Sequence, residues 1–222
     1  MSPRIVALSV LLSLGCAAQA QNTPPAVDLL AGDVFSGWSV VAAEHVDIRT
    51  ICNRTAEGIA IAGAPIGYLA TDASYENYRL RFEYRWPAAT PPRSNGGVLL
   101  HVASAPIAPS PWPTCIQLQT KVQYAGDLLQ MFGATFAEPI TTPAKGNTPP
   151  TRARQQSTSE LPLGEWNTVD ILCDRGMIEV RINGVLQNRV TKVEPHAGRI
   201  GLQLEGAPFE VRNLRLTPLV SG

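Results

Sequence analysis

An all-β sandwich is the fold class this sequence predicts, on three observations. Apolar residues recur with period two over many short segments, glycine and proline punctuate those segments, and no long stretch repeats at 3.6 residues. The 222 residues include 18 glycines and 19 prolines, as closely spaced turns require. Many short strands with turn signals between them indicate a two-sheet sandwich or jelly roll.

The clearest strand is 78–86, where Tyr78, Leu80, Phe82, Tyr84 and Trp86 alternate with Arg79, Arg81, Glu83 and Arg85. One face is core and the other charged. On 97–103, Val98, Leu100 and Val102 fall on one side and His101 on the other. On 115–121, Ile116 and Leu118 oppose Gln117 and Gln119. Ile178, Val180 and Ile182 lead into Asn183-Gly184, and 185–190 returns; both residues of such a turn tolerate positive φ, so this is a hairpin. Ile200, Leu202 and Leu204 alternate with Gly201, Gln203 and Glu205, and 209–216 supplies a last strand. Proline-rich loops at 88–94 and 104–113 flank the His101 strand. The stretch 134–165, rich in Pro, Thr and Ser and carrying Lys145, Arg152 and Arg154, is a long surface loop.

The chain opens with Arg4, a short apolar run over 5–14 and the small residues Gly15 to Ala20. That order is a secretory signal peptide ending in an A-x-A site. The expected division is a signal peptide over 1–20, a linker over 21–26 and one β-sandwich domain over 27–220, exported to the periplasm or secreted. Lipoprotein processing at Cys16 is the alternative, opposed by Ser13 where a lipobox has leucine. No later run reaches the roughly 18 apolar residues of a transmembrane helix. Basic and acidic residues balance at 18 each, so no basic field speaks for nucleic acid or an anionic membrane. After cleavage Cys52, Cys115 and Cys173 remain, an odd number that allows one internal bridge at most; without CxxC or Cys/His clustering they make no zinc site.

Polar side chains interrupt aliphatic strands at Arg79, Arg81 and Glu83, at His101, at Gln117 and Gln119, and at Gln203 and Glu205. Where such strands share a sheet, their non-core faces form a polar surface suited to sugar hydroxyls. The ordinary alternatives are a solvated strand face with cross-strand ion pairs for the arginines, a structural imidazole for His101, amide pairing for the glutamines and a turn carboxylate for Glu205. Trp112, between Pro111 and Pro113, is the best placed tryptophan to stack on a sugar ring, ahead of Trp86 and Trp166, while Trp38 reads as packing. There is no GxSxG elbow, HExxH helix or Walker loop.

In their order, 29–32 (LLAG), Ser36-Gly37-Trp38, the strand 78–86, Asn95-Gly96-Gly97-Val98, Trp112-Pro113 to Gln119, Ala125-Gly126-Asp127, Gly164-Glu165-Trp166-Asn167, Asn183-Gly184 and 200–208 (IGLQLEGAP) to Arg212-Asn213 resemble the 3-keto-disaccharide hydrolase domain, a family of 3-keto-glucoside 1,2-lyases and 3-keto-2-hydroxy-glucal hydratases. The resemblance covers essentially the whole mature chain and implies a concanavalin-like jelly roll acting on 3-keto-glycosides made by a separate sugar oxidase. A C3 ketone acidifies the C2 hydrogen, so the implied chemistry is elimination at C1 followed by addition of water, without the paired carboxylates of an ordinary glycosidase. Such a site needs a base, an acid, and a donor or divalent metal ion for the enolate oxygen. Glu205 and His101 are the expected base and acid, and Arg79, Gln119 and Gln203 the orienting donors. Gln117, Asp127 and Trp112 complete the expected substrate contacts. Where relatives commonly read Ile-Glu-Val-Gln, this chain reads Ile116-Gln117-Leu118-Gln119, an amide in place of a carboxylate. That departure keeps a non-catalytic glycan-binding module open as the alternative.

Overall fold

The computed structural model describes residues 24–32 and 36–220; the expected signal peptide lies outside them. Two antiparallel sheets face each other. With strands numbered in chain order, the first sheet runs β13 (Val185–Val190), β12 (Met177–Ile182), β11 (Asn167–Asp174), β6 (Tyr78–Arg85), β15 (Phe209–Pro218), β4 (Ile59–Ile61) and β3 (Cys52–Arg54), with β1 (Val27–Asp28) also paired to β15. The second runs β10 (Thr151–Arg152), β9 (Leu128–Met131), β8 (Cys115–Gln119), β7 (Gly97–Val102), β14 (Arg199–Leu204), β5 (Gly67–Thr71) and β2 (Trp38–Ala42). The one helix among the described residues, α1 (Ile48–Ile51), is a single turn capped by Asp47.

Alternation in the sequence becomes two layers because successive side chains of a strand point to opposite faces. Tyr78, Leu80, Phe82 and Tyr84 of β6 and Val169, Ile171 and Cys173 of β11 meet Val98, Leu100, Ile116, Leu118, Ile200 and Leu202 between the sheets. The other face of β6 carries a charge ladder: Arg79 Nε donates to Asp170 Oδ1 at 2.7 Å and Arg212 Nη2 to Glu83 Oε2 at 2.6 Å. Asn183 sits at φ 50° and Gly184 at φ 79° in the turn joining β12 to β13, the left-handed pair the Asn-Gly sequence predicts. Cys52, Cys115 and Cys173 are buried free thiols.

One strand breaks the simple count. His101 has φ 56°, and the pairing of β7 with β14 slips between Arg199 and Gly201. An extra residue of this kind reverses the in-out order beyond it. His101 therefore turns inward, edge-on to Tyr78 with ring centroids 5.7 Å apart, and Val102 turns outward. Gly198 lies against this bulge; a Cβ there would be 2.5 Å from Val102 O, so only glycine allows the approach.

The long loop forms a strap along one side of the sandwich. Gln155 N of the strap donates to Gln187 O of β13, and Arg154 N of the strap donates to Asp127 Oδ1 at 2.9 Å. The strap thereby ties β13 of the first sheet to the turn that precedes β9 of the second.

Candidate active site

The outer face of the second sheet carries the candidate site. Register places Gly97 opposite Gln119, Val98 opposite Leu202 and Gln203 opposite Tyr68. Gln119, Gly97, Gln203 and Tyr68 consequently form one row across β8, β7, β14 and β5, with Val41 of β2 at its end.

Because Gly97 has no side chain, the amides on either side meet over it. Gln117 Nε2 donates to Gln203 Oε1 at 2.9 Å and to Gln119 Oε1 at 3.2 Å. Gln203 Nε2 in turn donates to Glu205 Oε2 at 2.7 Å, and Asn95 Nδ2 donates to the same oxygen at 2.7 Å. A Cβ on Gly97 would fall 2.8 Å from both Gln117 Nε2 and Leu118 O. Gln117 and Gln203 are each only 2% exposed, so each amide is held in one orientation, while Glu205 is half-buried at the mouth of the chain of amides. Burial raises the Glu205 carboxyl above the ordinary glutamate range, against the Asn95 hydrogen bond and the positive charge of Lys121, which both lower it. Such a carboxylate is a better proton acceptor than a free one.

The expected site residues divide. Gln117, Gln119, Gln203 and Glu205 come together. Asp127 adjoins them, since Gln119 N donates to Asp127 O at 2.9 Å. Its carboxylate, raised by burial, takes the Arg154 backbone N–H at 2.9 Å and so anchors the strap. Trp112 packs on the apolar part of the same face, around Leu99, Cys115, Leu129 and Met131.

His101 and Arg79 do not belong to the cluster. The bulge sends His101 into the core, where Nδ1–H donates to Pro195 O at 3.2 Å, and burial above all lowers the ring to about 4. It is neutral and lies on the opposite face of the sheet from Glu205. Arg79 stands on the outside of the other sheet, bound to Asp170. Alternation assigns it to a non-core face, but the two sheets each have one.

Trp86 is core and donates to Thr120 O, Trp38 donates to Leu29 O, and Trp166 is stacked between Arg85 and Arg212 at 4.4 and 4.2 Å. Sequence reasoning assigned no role to Asn95, Gly97, Lys121 or Tyr68. Asn95 was detectable, since it precedes Gly97 by two residues and so shares its face.

A divalent cation does not fit this donor set. Among the described residues no three His, Cys, Asp or Glu side chains gather. The cluster offers one carboxylate, whose Oε2 already receives two amide donors, and one orphaned buried acceptor, Asn95 Oδ1. The Gln119 and Gln203 oxygens already accept from Gln117, and hard cations take several free anionic or carbonyl oxygens.

The two facing antiparallel sheets make a concanavalin-like jelly-roll sandwich, and a family match together with the fold neighbours supports a carbohydrate-active protein. The sequence profile of the 3-keto-alpha-glucoside-1,2-lyase-like domain matches residues 25–217, and the chain belongs to that family. Among solved structures it is similar to a Parabacteroides distasonis protein provisionally described as a glycosyl hydrolase (TM-score 0.62, 17% identity, 88% of this chain and 94% of that one). It is also similar to the Bacillus licheniformis β-glucanase (0.54, 8%, 90% and 100%) and to the carbohydrate-binding module CBM66 of Bacillus subtilis (0.53, 10%, 82% and 95%). At these identities the likeness is one of fold. No curated protein matches the chain. Among the described residues no helix is long and apolar enough to cross a membrane.

Proposed function

We propose that the protein is an exported lyase and hydratase of 3-keto-glycosides with Glu205 as its acid-base group. The observation that carries this reading is the convergence of Asn95 and Gln203 on a single oxygen of a half-buried carboxylate whose proton affinity burial raises.

In this reading Glu205 takes the C2 proton, which the C3 ketone has acidified. The electron pair forms the enolate and then expels the C1 oxygen, leaving a 3-keto-2-hydroxy-glucal. With His101 in the core, the proton held on Glu205 is the one returned to the departing oxygen. Water then adds across the C1–C2 double bond, hydroxyl to C1 and proton to C2, releasing the 3-keto sugar. Asn95 and Gln203 fix the carboxylate, and Gln117 fixes Gln203. Preorganised amide dipoles of this kind cost no rearrangement as charge moves. Release of reducing sugar from a 3-keto-disaccharide by the purified mature chain tests the proposal; no turnover, with or without added divalent metal, overturns it.

The amide at Gln117 favours a second reading, a glycan-binding module using the same face. Tight calorimetric binding of unoxidised oligosaccharides without turnover of the keto sugar would select it.

A further inference from the structure

Beyond the amide cluster, the same sheet face opens into a cavity of about 700 Å³ lined by Val41, Tyr68, Val102, Ser104, Pro106 and Arg199 with their neighbours. A second cavity of about 370 Å³ adjoins it at Pro106 and is lined by Ala42, Ile66, Pro109 and Pro111. Both volumes are in the range of small-ligand sites.

The cavity walls are mainly apolar, and the first cavity's cation is already engaged. Arg199 donates to the carbonyl oxygens of Thr71 and Ala70 and pairs with Asp72, which leaves its charge neutralised. Ile66 and Ile107 are 46% and 40% exposed beside this region, a concentration of accessible apolar surface that a sugar ring alone does not match. Val102 faces the cavity only because the bulge at His101 reverses the strand, so the irregular residue in β7 shapes this wall. Tyr68 joins the two regions: it is the cross-strand partner of Gln203 and lines the cavity. Gln203 and Tyr68 are themselves only 2% and 1% exposed, so a glycoside held at Glu205 passes over them to reach the apolar walls.

We propose that these cavities form the aglycone subsite, and that the preferred substrates are glycosides of apolar alcohols, aromatic or long-chain alkyl, rather than disaccharides. Assigning the occupant as an aglycone rests on the lyase reading; the affinity of the cavities for an apolar group does not.

The test uses unoxidised ligands, so it does not depend on turnover. The full mature chain is titrated with phenyl glucoside and methyl glucoside, following the methyl resonances of Val41 and Val102, and the titration is repeated on Val41→Asp and on the milder Pro106→Ser. The phenyl glycoside is expected to bind about tenfold or more tightly, from burial of one aromatic ring. It should shift both valines, and both variants should lose most of that preference while keeping the far-ultraviolet spectrum of the wild type. Equal binding of the two glycosides, or shifts that map elsewhere, overturns the subsite. Failure here with intact turnover of 3-keto-disaccharides removes the aglycone site alone, whereas phenyl-selective binding without turnover of any keto sugar removes the lyase reading alone.

Discussion

Gln203 of β14 stands two residues before Glu205, which lies just past the end of that strand, and donates to its Oε2 at 2.7 Å, while its own Oε1 accepts from Gln117. Both of these bonds run toward the carboxylate, while Gln117 donates its other N–H away from it, to Gln119. A carboxylate fixed by amide donors retains its charge without an arginine, and so stays able to accept a proton.

Replacing Gln117 by glutamate reverses that order. A carboxylate at 117 would face the carbonyl oxygens of Gln203 and Gln119, and flipping Gln203 would turn its oxygen toward Glu205. Gln117→Glu is expected to lower the thermal midpoint, reduce turnover about tenfold or more and raise the Glu205 pKa further, because a buried unpaired acceptor costs on the order of 1–3 kcal/mol. Thermal unfolding and a pH–rate profile measure these effects; a faster variant would contradict the account.

Gly97→Ala tests the row from the backbone side. The added methyl would be 2.8 Å from Gln117 Nε2 and Leu118 O, and one of these contacts is backbone. Overpacking of this kind costs roughly 1–3 kcal/mol, and displacement of Gln117 should remove most activity. Chemical denaturation with a parallel activity assay reads both, and an unperturbed variant would show that Gly97 is not needed to bring the amides together.

The pH dependence follows from the sign of the Glu205 shift. The folded-state pKa lies above the unfolded one, so its contribution to stability is fully present below the unfolded value and is lost as pH rises through the folded value. Activity runs the other way, since the base must be ionised. kcat/KM should therefore climb over the same window in which this part of the stability is lost, and Glu205→Gln should abolish that pH dependence of stability. Stability and rate measured across pH 4 to 8 check the pair of trends.

Arg79→Ala should leave turnover within about twofold. It removes a partly exposed ion pair on the outside of the other sheet, worth up to about 1 kcal/mol. A large loss of activity would place the site on the wrong sheet.

The fold was legible because period-two alternation is a direct consequence of strand geometry; 78–86 and 178–190 read correctly for that reason. Gln117, Gln119, Gln203 and Glu205 were legible too, as polar interruptions on aliphatic strands that proved to share a sheet. His101 was misread because counting by twos assumes an unbroken pleat, and a residue at φ 56° breaks it. Arg79 was misread because alternation reports a face without saying to which sheet it belongs. Tyr68 depends on cross-strand register, which no single strand encodes. Gly97 matters through the side chain it lacks, and that becomes visible only when the neighbouring amides are placed.

The most direct measurement of the central claim is single-turnover cleavage of a 3-keto-disaccharide by the wild-type chain and by Glu205→Gln, with unfolding curves confirming that both are folded. The account predicts reducing-sugar release by the wild type and a loss of about 10²- to 10⁴-fold in the variant, as removal of an acid-base group produces. Equal rates in the two folded proteins would contradict it.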